Sequence, residues 1–96
     1  MRVSVLIVSY NTRQLLRECL EALGTEFEVI VVDNASRDGS ADAVREEFPH
    51  VVLIENAVNR GFGAANNQGL EAMTGDLALL LNSDARPESC LLYTSR

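Results

Sequence analysis

Lysine is absent from this 96-residue chain, and histidine occurs once, as His50. Without lysine there is no Lys-Ser or Lys-Thr phosphate-binding loop. One histidine, set after Pro49 at the start of a strand, supplies neither a histidine-based triad nor a histidine zinc site. The two cysteines, Cys19 and Cys90, lie far apart, so they form neither a metal-type pair nor a secreted disulfide framework. A reducing, cytoplasmic compartment is the simpler expectation. Long hydrophobic runs are missing too: residues 3–8 are too short for a signal segment or a membrane span, and so are residues 77–81. Eight cationic side chains stand against fourteen acidic ones, a formal net charge of -6, which argues against a general nucleic-acid or anionic-membrane surface. Any anionic ligand must therefore be held locally.

What is present is an alternation of buried strands and helices. Residues 3–8 are rich in β-branched side chains and stop at Ser9-Tyr10-Asn11. Asn11 as N-cap with Gln14 resembles a capping box, and Leu15, Leu16, Cys19, Leu20 and Leu23 line one helix face before Gly24. A strand over 28–32 ends in Asp33-Asn34 and a loop dense in turn formers. Ala41, Val44 and Phe48 then give an apolar stripe, with Ser40 or Asp38 as cap and Pro49 as terminator. A strand over 51–54 leads to Asn59, Gly61 and Gly63, expected in a loop of unusual backbone angles or close approach. Phe62, Ala65, Gly69, Leu70 and Met73 predict a third helix, and residues 77–81 a fourth strand. From Ser89 onward no helical stripe is visible. The expected class is α/β, with a parallel sheet and flanking helices.

Parallel strands bring their carboxyl ends to one edge, where open α/β folds bind ligands. Each polar set at those ends has a structural explanation alone, as cap or turn, but together they predict a binding edge. Asp33 sits at a strand end and can accept donors from a base or ribose. Asp84 follows an apolar strand, where a carboxylate is costly unless solvated, paired or bound to a cation. Mg2+ or Mn2+ suits one carboxylate plus substrate phosphates. The structural alternative for Asp84 is the N-cap of a helix near Pro87.

Four segments in order, VSVLIVSYN, EVIVVDNASRDGS, NRGFGAANNQGL and LALLLNSDARP, resemble the family 2 glycosyltransferases of the GT-A fold. The VDNAS and LLNSDA variants look most like the rhamnosyltransferase-type subgroup. The resemblance spans residues 2–88 and implies a Rossmann-like nucleotide-diphospho-sugar transferase fold and inverting transfer of a sugar from a dTDP-, UDP- or GDP-linked donor to a glycan or lipid-linked acceptor hydroxyl. It implies cell-envelope polysaccharide biosynthesis at the cytoplasmic face of a membrane. Ser9, Tyr10 and Asn11 match the segment laid against the nucleoside, and Asp33 the base contact, followed by Asn34. Asn59, Gly61, Gly63 and Asn67 match the motif that shapes the nucleotide pocket, with Arg60 a candidate diphosphate contact. Asn82 and Asp84 match the Asp-x-Asp motif, the first facing ribose and the last binding metal. Asn82 departs from that motif by one negative charge, which puts more weight on Asp84.

In the family the catalytic base and acceptor site lie beyond that motif. Residues 1–88 are therefore expected to be the amino-terminal, donor-binding part, inactive alone, with residues 89–96 a tail of non-native sequence. A nucleotide-binding module without turnover is the alternative. A third reading is a receiver-like domain phosphorylated on Asp33.

Overall fold

The computed structural model describes residues 2–82 and 91–94. Its elements run β1 (Val3–Ser9), α1 (Arg13–Leu23), β2 (Glu28–Asp33), α2 (Ser40–Glu47), β3 (Val52–Glu55), α3 (Gly61–Ala72), β4 (Leu77–Asn82) and β5 (Leu91–Thr94). The sheet order is β3-β2-β1-β4-β5. The first four strands are mutually parallel, as the alternation predicts. β5 pairs antiparallel with β4 and adds a strand that residues 89–96 had not been expected to form.

The central strands read as unbroken apolar runs because both their faces are covered. Val5, Leu6, Ile7, Ile30 and Val31 are fully excluded from solvent. On one face Leu16, Cys19, Leu20 and Leu23 of α1 and Val44 of α2 pack with Val5, Ile7, Val29 and Val31. On the other, Ala65 of α3 meets Val8 and Val32, while Met73 meets Leu6, Ile30 and Ala78. A Cβ on Gly69 would meet Leu6 Cδ2 at 2.7 Å, so glycine is what lets α3 lie against β1. The face change follows from right-handed crossovers: the chain steps outward from β1 to β3, then returns past β2 and β1 to reach β4. β1 and β4 thus flank the topological switch point.

The helix starts differ from the sequence reading. α1 begins at Arg13, and Asn11 lies outside it at φ 51°, a left-handed angle that asparagine tolerates. The cap comes from another loop: Asp38 Oδ2 accepts the Arg13 N–H at 3.0 Å. Oδ1 of the same carboxylate accepts the Ser40 N–H at 3.1 Å, and also the Ser40 hydroxyl, at the start of α2. Gln14 instead bonds Glu18 and Arg17. Leu15 is 45% exposed, because one residue turns it about 100° away from Leu16. Ala43, not Ala41, shares the α2 stripe with Val44. β3 starts one residue later than expected, at Val52. His50 is exposed at the amino edge, its ring 6.4 Å edge-on from Phe48.

That amino edge is tied by Glu28. Its Oε1 accepts the Ser4 hydroxyl at 2.6 Å and the Thr74 N–H at 2.8 Å, and its Oε2 accepts the Thr74 hydroxyl at 2.8 Å. Burial opposes ionisation, but these three bonds and the Arg2 charge outweigh it and hold the carboxyl below its ordinary value. A depressed carboxyl contributes stability that is complete above the unfolded value, about 4.3, and is lost as pH falls through the folded one. Glu28→Gln is expected to cost about 2 kcal/mol at pH 7. The deficit should shrink as pH falls below about 4.3, where the carboxyl protonates in the unfolded chain, and through the lower folded value. Urea unfolding at pH 7 and at acid pH measures this, and a constant deficit would contradict it.

Candidate functional site

The parallel register lines up the strand ends. Ser9 is paired with Asp33, Asp33 with Glu55, and Val8 with Asn82. With strands about 4.8 Å apart, β2 and β4 stand about 10 Å apart across β1. The sequence-predicted residues of β1, β2 and β4 therefore meet at one edge.

Asp33 is 3% exposed. Its Oδ2 accepts the Ser36 N–H at 3.0 Å, whereas its Oδ1 is buried without a hydrogen-bond partner among the described residues. An unmet buried carboxylate oxygen is costly, and a donor arriving from a ligand would relieve it. The 33–37 loop is held from below and from the side. Asn34 N–H donates to the Ser9 carbonyl at 2.8 Å, Asn11 N–H to Ser36 Oγ at 2.8 Å, and Arg37 N–H to Asn11 Oδ1 at 2.7 Å. Ala35 sits in this loop at φ 64°, an angle that residues with a Cβ rarely adopt and that concentrates at functional sites.

Two grooves flank the loop. The larger, about 760 Å³, is lined by Tyr10, Asn11, Arg37, Asn56, Val58 and Asn59 among others. Among the described residues Arg37 is its one charged lining residue, and Tyr10 and Val58 are 50% and 64% exposed. Such a groove offers an apolar and aromatic surface with local positive charge, suited to a planar base and an anion. The smaller, about 390 Å³, is lined by Asp33, Asp42 and Glu55 together with Arg37, an acidic excess that disfavours an anion there.

Of the predicted residues, Tyr10, Asn11 and Asn59 line the larger groove and Asp33 the smaller. Ser9 is fully buried beneath them. Asn34 is also buried: Oδ1 accepts from Asn56 Nδ2 at 2.9 Å and from the Arg60 N–H at 3.3 Å, and Nδ2 donates to the Gly61 carbonyl. Asn59 Oδ1 accepts the Gly61 N–H at 2.8 Å, capping α3. Gly61 and Gly63 belong to the first turn of α3 instead of a loop, and of the two only Gly61, at φ 83°, needs glycine for its backbone. Neither glycine has an atom near enough to crowd a Cβ. Phe62 is 46% exposed, off the buried face of α3, and Asn67 is exposed. Gly61, Gly63 and Asn67 line neither groove. Asn82 ends β4 beside Val8, and Asp84 lies outside the described residues. No group of three or more metal-ligating side chains occurs among the described residues.

Asn56, Gln68 and Asn66 were missed. Asn56 follows the apolar strand β3 directly, the same signal that singled out Asn34 and Asn82. Gln68 and Asn66, buried with its Oδ1 unpartnered, sit mid-helix, where no sequence pattern marks them.

This arrangement matches known proteins. Residues 4–92 fit the Glycosyl transferase family 2 model. The putative glycosyltransferase EpsH of Bacillus subtilis is 33% identical over 92% of this chain and 28% of its own length. The poly(ribitol-phosphate) beta-glucosyltransferase of Bacillus spizizenii is 34% identical over 88% of this chain and 15% of its own. Among solved structures, the mannosyltransferase PcManGT of Pyrobaculum calidifontis, in complex with GDP-Man and Mn2+, superposes with a TM-score of 0.78 at 34% identity, covering 88% of this chain and 28% of that one. TarS of S. aureus in complex with UDP-GlcNAc gives 0.76 at 31% identity over 88% and 27%. The chain thus spans about a third or less of the proteins it matches. By the family match and the superposition on solved glycosyltransferases, the chain belongs to glycosyl transferase family 2 and has the GT-A fold.

Proposed function

We propose that this chain is the donor-binding part of an inverting glycosyltransferase, which takes a sugar from a dTDP-, UDP- or GDP-linked donor and passes it to a hydroxyl of a glycan or lipid-linked acceptor. The observation that carries this reading is the buried Asp33 carboxylate at the end of β2, with Oδ1 unpartnered among the described residues, in the loop between the smaller groove that Asp33 lines and the larger one that carries Arg37. Solved relatives that hold GDP-Man or UDP-GlcNAc support it.

In this reading Tyr10 and Asn11 lie along the nucleoside, with Ser9 supporting them from below. Asp33 accepts a base N–H at Oδ1. Asn59 shapes the pocket with the first turn of α3, where Gly61, Gly63 and Asn67 belong to the same motif, and Asn34 acts through the loop it holds. Asn82 hydrogen-bonds ribose as an amide. Asp84 is the proposed ligand for Mg2+ or Mn2+, supported by its place two residues beyond β4 and by the Mn2+ in the mannosyltransferase complex. Bound there, the cation would stabilise charge developing on the diphosphate leaving group. The base that takes the acceptor proton is proposed to be a carboxylate outside these 96 residues, so that the chain alone is inactive. Residues 1–88 form this donor part, and the VDNAS and LLNSDA variants favour a rhamnosyltransferase-like member.

The proposed setting is cell-envelope polysaccharide synthesis in the cytoplasm, with the full-length protein at the cytoplasmic face of the membrane. A relative named for poly(ribitol-phosphate) supports the polymer class. No described helix is long and apolar enough to cross a membrane.

Titration calorimetry of the chain with UDP, dTDP and GDP, each with and without Mn2+, tests the reading. At least one nucleotide should bind, and more tightly with metal. No binding to any of the three would refute it. The neutral Asn82 favours one alternative, a binding module without turnover, which transfer or hydrolysis of the sugar by the full-length protein would exclude.

A further inference from the structure

Asn56 and Gln68 are joined as a closed amide pair: Asn56 Nδ2 donates to Gln68 Oε1 at 2.8 Å, and Gln68 Nε2 donates to Asn56 Oδ1 at 2.9 Å. The second proton of Asn56 Nδ2 goes to Asn34 Oδ1 at 2.9 Å. Both amide protons of Asn56 are therefore committed and its oxygen accepts from Gln68, so the amide has no freedom to turn. Asn34 in turn holds the Arg60 N–H and the Gly61 carbonyl, and its own N–H is bound to Ser9. Asn56 N–H completes the link by donating to the Asp33 carbonyl at 2.9 Å. One chain of amides thus runs from α3, through the end of β3, to the end of β2 and the loop that opens α3.

We propose that this relay is a positioning device for the nucleotide site, with Gln68 as its anchor. The inference rests on the functional reading above and deepens it. Asn56 lines both grooves, whereas Gln68 lines neither. Gln68 therefore acts through Asn56. By fixing that amide it keeps the wall carrying Val58 and Asn59 in register with the wall carrying Tyr10, Asn11 and Arg37. A groove whose two walls are tied before the ligand arrives loses less freedom on binding. Without Gln68, Asn56 regains an unmet acceptor and donor, its amide can rotate, and the β3–α3 loop keeps only the Asn34 contacts and the Asn56 N–H bond to Asp33.

The test is titration of the full chain with UDP, dTDP and GDP in the presence of Mn2+. Gln68→Leu is expected to weaken whichever nucleotide the wild type binds by about tenfold. Thr74→Val removes a side-chain hydrogen bond at the opposite edge and should lower the thermal midpoint without changing affinity. Should Gln68→Leu not fold, Gln68→Asn replaces it, keeping the polarity and withdrawing the amide by one methylene. Wild-type affinity in a folded Gln68 variant, or an equal loss in Thr74→Val, overturns the positioning role while leaving the nucleotide site intact. Failure of the wild-type chain to bind any of the three overturns the functional reading, and the relay's role with it.

Discussion

Asp84→Ala is expected to abolish the metal-dependent part of nucleotide affinity, a loss on the order of a hundredfold, while leaving the circular dichroism spectrum unchanged. The size of the effect follows from how little else can replace this carboxylate. The position two residues before it, Asn82, is an amide where the family motif has an acid, so the motif has a single negative charge to offer. A hard cation between a diphosphate and one protein carboxylate loses its protein anchor when that carboxylate goes. Of the described acids at this edge, Asp33, Asp42 and Glu55 line the smaller groove on the β2–β3 side, with β1 between β2 and β4, and Asp38 is taken up in capping α1 and α2. Titrations with and without Mn2+ on both proteins decide the point. A Mn2+ response in the variant equal to that of the wild type would remove Asp84 from the metal site.

Asp33→Asn should weaken nucleotide binding by about 30-fold and leave folding stability within about 1 kcal/mol of wild type. The carboxylate has two tasks at present. Oδ2 holds the Ser36 N–H, and Oδ1 has no partner. Asparagine retains only one acceptor oxygen. If that oxygen serves Ser36, the amide NH2 faces the ligand donor and repels it. If it turns toward the ligand, the loop loses its Ser36 bond. Either choice damages the site, yet the fold gives up little because the charged oxygen it loses was unmet. Calorimetry and urea unfolding on the same protein separate the two effects. Unchanged affinity with a large loss of stability would reassign Asp33 to loop support.

The fold and the edge of the site were legible because they depend on short-range patterns. Short apolar runs identified the four parallel strands, and the polar residues after them, Ser9-Tyr10-Asn11, Asp33-Asn34 and Asn82, meet at one edge once the strands are parallel. The features that were not legible depend on side chains meeting across the fold. Asn11 has the right chemistry for a cap, but Asp38, 25 residues beyond Arg13, takes that position. Ala35 at φ 64° gives no signal, since alanine is not a residue from which a left-handed turn is expected. The Gln68–Asn56 pair exists only because α3, lying over β1 and β2, brings Gln68 to the residue that follows β3. Gly63 and Phe62 were misplaced for a local reason: α3 starts at Gly61, earlier than the glycines suggested, and its buried line runs through Ala65, Asn66 and Gly69.

The shared carboxylate of Asp38 also bears on the order in which the chain folds. α1 has no acidic residue in its first turn and no side-chain cap from its own N-cap residue. Its amino terminus is completed only when Asp38 arrives, after β2 has been laid beside β1. Closing a loop of that length must precede the reward of the contact. During synthesis on the ribosome α1 would therefore emerge before α2 but be finished only with the loop that precedes α2, together with the turn that bears Tyr10 and Asn11. Burial opposes ionisation of Asp38, but bonds from the Ser40 hydroxyl and the Arg13 and Ser40 N–H groups hold it below the ordinary carboxylate range. The first wall of the groove and the helices behind it thus become ordered as one unit.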